Sequence, residues 1–209
     1  MAVSMKNKII LNKDYINLNR PAVFLDRDGV IIQDRHHISS PNDVELCPGV
    51  IDLLLFFRSK SYQIIIITNQ SGIARGLFTW KDYEKVTEKI ITLLGKPCPV
   101  SGIYANGYKG NGPANSWRKP NPYMLIQAKK DFSINLNDSI LIGDRLSDLK
   151  AGVSAGLRKV FHVSTGHGNR ERKIIKDYIN NSNEFVWSKK SSKILLLDNL
   201  LNFPFDSIT

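Results

Sequence analysis

Two carboxylates one residue apart, Asp26 and Asp28, close the apolar run Val23-Phe24-Leu25 and are followed by Gly29. Acidic side chains delivered at the end of a buried strand can hold a divalent cation, and an ionised carboxylate can attack phosphorus. Asp-Gly between hydrophobic residues is equally a hairpin signal, so this stretch alone leaves a site and a turn open. Three later stretches favour the site. The run Ile64-Ile65-Ile66-Ile67 ends in Thr68-Asn69-Gln70-Ser71-Gly72. Arg118-Lys119-Pro120 precedes a helix start at Asn121-Pro122, and Ile140-Leu141-Ile142 ends in Gly143-Asp144-Arg145-Leu146-Ser147-Asp148.

The chemistry of the four stretches is complementary. Carboxylates at Asp26 and Asp144 can hold Mg²⁺, Lys119 can neutralise phosphate charge, and Thr68 can hydrogen-bond a phosphate oxygen. Arg118 and Lys119 stand beside a helix N-terminus, a favourable address for an anion. Together these groups make a phosphoryl-transfer site, provided that the fold brings them to one place.

The hydrophobic pattern supplies that fold. Ala22–Leu25, Gln63–Ile67, Val100–Tyr104, Ser139–Ile142 and Lys159–Val163 are predicted strands, and the consecutive apolar residues Ile64 to Ile67 suit a strand covered on both faces. Between them, Val50, Leu53, Leu54 and Phe57 recur at helical spacing. So do Tyr83, Val86, Ile90 and Leu93 after a capping box at Thr79–Asp82, and then Met124, Leu125 and Ala128. Alternating strands and helices predict a single-domain α/β fold, a doubly wound parallel sheet. In such a sheet the carboxyl ends of the strands share one edge, where Asp26, Thr68, Lys119 and Asp144 converge. Residues 1–20 read as a loose N-terminal arm and 21–209 as the domain. Glu184–Trp187 is expected to be an edge strand and Ile194–Leu201 a closing helix. Trp80 and Tyr83 are read as packing residues.

Length and composition agree with this picture. A chain of 209 residues with 42% hydrophobic and 23% charged residues matches a globular domain rather than a disordered or fibrous one. No N-terminal apolar run has the length of a signal peptide and none later approaches a bilayer span, so a cytoplasmic location without membrane contact is expected. Cys47 and Cys98 read as reduced thiols. The net charge of +10 raises nucleic acid as a partner, but its distribution argues against one. Nine Lys or Arg against three Asp or Glu fall between Arg158 and Lys193, interspersed with Asn and Ser rather than aromatics, which suits a solvated face. His36-His37 lacks a third ligand at metal spacing and reads as a surface loop.

The motifs in order resemble the haloacid dehalogenase superfamily: Asp-x-Asp-Gly after the first strand, Thr after the second, a Lys, then a late acidic pair. Phe-Leu-Asp-Arg-Asp-Gly-Val, Ile-Thr-Asn-Gln-Ser-Gly-Ile-Ala-Arg-Gly, Arg-Lys-Pro and Ile-Gly-Asp-Arg narrow the resemblance. They are similar to the group that holds D,D-heptose 1,7-bisphosphate phosphatases and histidinol-phosphate phosphatases, over roughly residues 21 to 165. The resemblance implies a Rossmann-like fold without a large cap domain, with long loops around the site. It implies Asp26 as nucleophile, Asp28 as general acid and base, Thr68 and Lys119 as phosphoryl holders, and Mg²⁺ on Asp26, the Asp28 carbonyl and Asp144. Asp148 is expected to orient these groups, and Asn69, Arg75, Arg118 and Arg145 to contact the sugar or a second phosphate.

One departure is plain. Members of this group commonly bind a structural zinc through three Cys and one His between the third strand and Arg-Lys-Pro. The corresponding positions here are Asn106, Tyr108, Asn115 and Trp117, so no zinc is expected. The expected activity is Mg²⁺-dependent release of the C7 phosphate of a heptose 1,7-bisphosphate, in nucleotide-heptose synthesis for lipopolysaccharide or capsule, by a monomer acting on a small phosphorylated sugar. The alternatives are a histidinol-phosphate phosphatase, a nucleic-acid 3′-phosphatase and a non-catalytic binding protein.

Overall fold

The computed structural model describes residues 7–12, 19–110, 116–181 and 192–208. Its strands are β1 (Asn7–Leu11), β2 (Ala22–Leu25), β3 (Gln63–Asn69), β4 (Gly102–Asn106), β5 (Ile140–Gly143), β6 (Lys159–Val163) and β7 (Lys193–Leu197). They form one sheet in the order β1-β4-β3-β2-β5-β6-β7. β1 runs antiparallel to β4, and every other neighbouring pair is parallel. From β2 the chain winds outward through β3 and β4, then returns to β5 and winds the other way. The crevice between β2 and β5 is therefore the switch point of the sheet, where open α/β folds bind ligands.

Side-chain alternation along the strands sorts the core into two layers. Val23, Leu25, Ile64, Ile66, Ile140 and Ile142 face one side, against α1 (Val50–Ser59) and α3 (Trp80–Leu93). Phe24, Ile65, Ile67 and Leu141 face the other, against α4 (Tyr123–Phe132), α5 (Leu146–Ser154) and α6 (Gly168–Asn181). A sheet buried on both faces explains why these runs are apolar at consecutive positions. The capping box that opens α3 is formed, with Thr79 Oγ1 accepting from Asp82 N and Asp82 Oδ2 accepting from Thr79 N. Residues 26–49 hold a 3₁₀ turn, Pro41–Asp43, and isolated bridges rather than a folded cap.

The structure departs from the sequence expectations in four places. The loose arm contributes β1, because Ile9-Ile10-Leu11 pairs with the open edge of β4. Ile194–Leu201 is not a closing helix: its first half lies in β7, parallel to β6, and Asp198-Asn199 ends the run before the 3₁₀ turn Leu200–Asn202. A short continuous apolar run suits a buried strand as well as a helix, and pairing decided it. Part of the basic stretch read as a solvated face is α6, docked through Ile175. The strand boundaries at β4 and β5 lie a residue or two later than expected. Glu184–Trp187 lies outside the described residues. Among the described residues, no helix is long and apolar enough to cross a membrane.

Candidate active site

β2 delivers Asp26 to the switch point, and its backbone N–H continues the sheet by donating to Ile142 O at 3.0 Å. The next peptide turns back at once, so that Arg27 N donates to Asp26 Oδ1 at 2.7 Å. Gly29 completes the turn at φ +83°, and a Cβ there would meet Asp144 Oδ2 at 2.8 Å. Only glycine combines that backbone with so close an approach.

Lys119 arrives from the turn before α4 and is almost wholly buried. Its ammonium lies 2.9 Å from Asp26 Oδ1 and 2.6 Å from Asp148 Oδ1, and donates to Ile67 O at 3.0 Å. All three donors of the lysine are thus engaged. Asp148, on the first turn of α5, also accepts from Arg145 N at 3.0 Å. Asp26, Asp144 and Asp148 each place a carboxylate oxygen within 4.8 Å of the others. The expected catalytic groups therefore do converge from β2, β3, β5 and the Arg118-Lys119-Pro120 turn.

The electrostatics describe a centre short of positive charge. Burial raises the pKa of Asp26; Lys119 pulls it down, but Asp148 and Asp28 push it up again, and the net shift is upward. Asp144 is raised by burial and by Asp26 and Asp148. For Lys119, the two carboxylates outweigh a burial that would depress it and hold its pKa above the usual lysine value. One ammonium does not balance three carboxylates. In addition, Asp144 Oδ1 is buried with no hydrogen-bond partner, while Oδ2 accepts from His167 N at 2.7 Å. A buried carboxylate oxygen without a donor, among crowded carboxylates, fits a hard divalent cation with oxygen ligands.

A second network fixes Asp28. The Arg27 guanidinium, 2% exposed, lies over the Tyr83 ring and contacts the Asp28 carboxylate, with Nη2 to Oδ1 at 2.9 Å. Gln70 accepts from Arg27 Nη2, and its Nε2 donates to Asp28 Oδ2 at 2.9 Å and to Thr68 Oγ1 at 2.7 Å. Thr68 accepts that bond, which leaves its own hydroxyl proton for another acceptor. Sequence reasoning did not single out Arg27 or Gln70, although both lie inside the motifs. Tyr83 packs as expected, edge-on to Trp80.

The four residues expected at the substrate, Asn69, Arg75, Arg118 and Arg145, all line one cavity, and their side chains are engaged differently. Asn69 spends its amide on Lys119, with Nδ2 donating to Lys119 O and Oδ1 accepting from Lys119 N, both at 3.1 Å. It positions the lysine. Arg75, Arg118 and Arg145 line a cavity of about 580 Å³ together with Asp26, Asp28 and Lys119. Burial lowers the pKa of half-buried Arg118, and the like charges of Arg75 and Arg145 lower it further. Among the described residues, neither Arg75 nor Arg118 pairs with a carboxylate, whereas Arg145 lies 3.9 Å from Glu171. Three guanidiniums on the wall of one cavity concentrate positive charge there, which suits an anion.

Around the segment aligned with the zinc loop, Asn106 donates to Tyr108 O, as does Arg118 Nη1, and Trp117 packs against Tyr104 with ring centroids 5.8 Å apart. Asn115 lies outside the described residues. His36 is not an isolated surface histidine. Asp34 and His167 stand beside it on the cavity wall, a grouping hidden in the sequence because His167 follows β6. His162, in β6, is buried; its pKa falls to about 4, chiefly through burial, and neutral Nε2–H donates to Asp144 O at 2.9 Å.

Known proteins resemble this chain in sequence and fold. The HAD-hydrolase-like family model matches residues 116–182. A Helicobacter pylori D-glycero-beta-D-manno-heptose-1,7-bisphosphate 7-phosphatase is 39% identical over 68% of this chain and 83% of its own length. A Campylobacter jejuni D-glycero-alpha-D-manno-heptose-1,7-bisphosphate 7-phosphatase is 35% identical over 76% of this chain and 94% of its own. The crystal structure of D,D-heptose 1,7-bisphosphate phosphatase from B. bronchiseptica, complexed with magnesium and phosphate, superposes with a TM-score of 0.69 at 26% identity, covering 86% of this chain and 93% of that one. With the acidic centre, the buried lysine and the arginine-lined cavity in place, the chain belongs to the heptose-1,7-bisphosphate 7-phosphatase family of haloacid dehalogenase-like hydrolases.

Proposed function

We propose that this protein is a Mg²⁺-dependent phosphatase that removes the C7 phosphate of D-glycero-D-manno-heptose 1,7-bisphosphate through an aspartyl-phosphate on Asp26. The observation that carries the reading is the pairing of one acidic centre, built on Asp26, Asp144 and Lys119, with three arginines that line the adjoining cavity. One phosphate reacts at the first and the other is held by the second. Histidinol phosphate would leave the arginines without a partner. The cavity volume falls within the usual range for small-molecule sites, which runs from about 300 to 1,000 Å³. Among the described residues, its walls carry no ladder of aromatics for a nucleic-acid strand.

In the first step an Asp26 carboxylate oxygen attacks phosphorus, an O–P bond forms, and the bond from phosphorus to the C7 oxygen breaks. Asp28, held by Arg27 and Gln70, gives its proton to the departing sugar oxygen. In the second step Asp28 takes a proton from water as the water oxygen attacks phosphorus, and the bond to Asp26 breaks to release inorganic phosphate. Thr68 donates its hydroxyl proton to a phosphoryl oxygen, an assignment supported by its acceptance of the Gln70 bond. Lys119 acts as a fixed positive charge beside Asp26, its hydrogens already being committed. Asp26, Asp144 and the Asp28 carbonyl would hold Mg²⁺, which when bound neutralises phosphate charge at the reacting centre. The enzyme is read as a cytoplasmic monomer.

Two substitutions test the roles. Asp26→Asn is expected to abolish turnover with the fold intact, because the amide cannot attack phosphorus. Asp28→Asn removes the proton transfer and is expected to slow turnover by about 10²–10⁴-fold. Near-wild-type phosphate release from Asp26→Asn, or a loss under about tenfold from Asp28→Asn, would contradict the assignment.

A further inference from the structure

A second group of metal-ligating side chains lies on the wall of the same cavity, outside the acidic centre. Asp34 and His36 follow β2, and His167 follows β6. Asp34 Oδ2 is 3.0 Å from His167 Nε2, and Asp34 Oδ1 accepts from His36 N at 2.9 Å. The His36 and His167 rings meet edge to face with centroids 5.5 Å apart. One ligand atom from each of the three residues lies within 4.8 Å of the other two. We propose that Asp34, His36 and His167 form a binding site for a transition-metal dication of the Zn²⁺ class, separate from the Mg²⁺ centre.

The ligand set separates the two sites chemically. Two imidazoles and one carboxylate suit Zn²⁺ and its neighbours, whereas Mg²⁺ prefers an all-oxygen shell. The spacing is near what coordination needs. Ligands about 2.0–2.1 Å from a tetrahedral ion lie roughly 3.3–3.4 Å apart, and the Asp34–His167 pair is already that close. His36 is exposed with its ring against that of His167, so a rotation of its side chain closes the remaining gap. An Asp34–His167 ion pair alone would not require His36 within reach. Three protein ligands leave the ion open to water or to an anionic oxygen, as three-ligand zinc sites do. Ligation would also tie the loop after β2 to the loop after β6, whose His167 N–H holds Asp144. The expectation of no zinc rested on the segment between β4 and α4, and these ligands lie elsewhere.

The site is tested without substrate, so the result is independent of the phosphatase reading. Full-length protein is stripped with chelator, saturated with Mg²⁺ to occupy the acidic centre, and titrated with Zn²⁺ by calorimetry, with Co²⁺ absorption reporting the ligand field. The wild type is expected to bind one equivalent. His36→Gly suits the left-handed backbone at that residue, φ 53°, and is expected to keep the fold. Outer-shell partners alone change metal affinity by about 10–100-fold, so loss of a direct ligand in His36→Gly or His167→Ala is expected to cost at least about 100-fold. His37→Ala and the Asp26→Asn/Asp144→Asn double variant are expected to keep wild-type affinity. No Zn²⁺ uptake beside saturating Mg²⁺, uptake that survives His36→Gly, or uptake lost with the acidic centre would each overturn the proposal.

Discussion

Lys119→Met removes the ammonium that contacts both Asp26 and Asp148 and leaves a side chain of similar length among buried carboxylates. Removing one partner of a buried ion pair typically costs about 3–5 kcal/mol, because the other charge stays buried and unpaired. For a domain of this size each kcal/mol moves Tm by about 2–4 °C, so a fall of roughly 6–20 °C is expected in metal-free buffer. Asp148→Asn in the same chain should recover part of the loss, with a coupling of at least about 1 kcal/mol, since it removes a carboxylate that Lys119 no longer balances. The assay is urea unfolding of wild type, both single variants and the double variant in EDTA, followed by circular dichroism. A Lys119→Met loss below about 1 kcal/mol, or strictly additive variants, would refute the view that this lysine holds the carboxylates together. Turnover should be absent from Lys119→Met at every Mg²⁺ concentration, because the positive charge beside Asp26 is gone.

Two further outcomes follow from the same charges. Asp26 and Asp144 have folded pKa values above the ordinary carboxylate range, so their contribution to metal-free stability is fully present below that range and is lost as pH rises through the folded values. Mg²⁺ binds the ionised forms. The Tm increment from Mg²⁺ is therefore expected to grow as pH rises above 6.5, a window that avoids the opposite contribution of His162, whose depressed pKa makes stability fall as pH drops from 6.5 toward about 4; a flat or shrinking increment in thermal scans would contradict this. On the cavity wall, a charge-assisted hydrogen bond contributes about 1.5–3 kcal/mol, so Arg118→Ala should lower kcat/KM for the bisphosphate by about 10- to 150-fold. A heptose 7-monophosphate should be nearly unaffected in steady-state assays, and equal losses on both substrates would instead place Arg118 at the transferring phosphate.

What the sequence made legible was set by locality. β2, β3 and β5 announce themselves because a strand covered on both faces must be apolar at successive positions, and Asp26, Thr68 and Asp144 follow those runs directly. The double-sided core and the switch point then follow from strand and helix alternation. β1 was hidden because an edge strand of five residues in a polar arm has no period of its own and depends on β4 for definition. α6 was hidden because Arg170, Arg172, Lys173 and Lys176 dominate its composition while a single fully buried Ile175 docks it. Within the site, side-chain identity was readable but its task was not always so. Asn69 lines the cavity, as expected of a sugar contact, but its bonds to the Lys119 backbone could not be read from the sequence. Asp34, His36 and His167 could not be grouped from spacing, since the third ligand lies one hundred and thirty-one residues from the second and meets it only through the sheet.

The central claim is tested most directly by the position from which phosphate leaves. Wild-type protein with Mg²⁺ and D-glycero-D-manno-heptose 1,7-bisphosphate, in either anomeric form, can be followed by ³¹P NMR. Loss of the C7 phosphate signal with the C1 phosphate retained, at a kcat/KM above those for histidinol phosphate and a 3′-phosphorylated oligonucleotide, is the predicted result. Release of the C1 phosphate, or preferred turnover of either competitor, would contradict it.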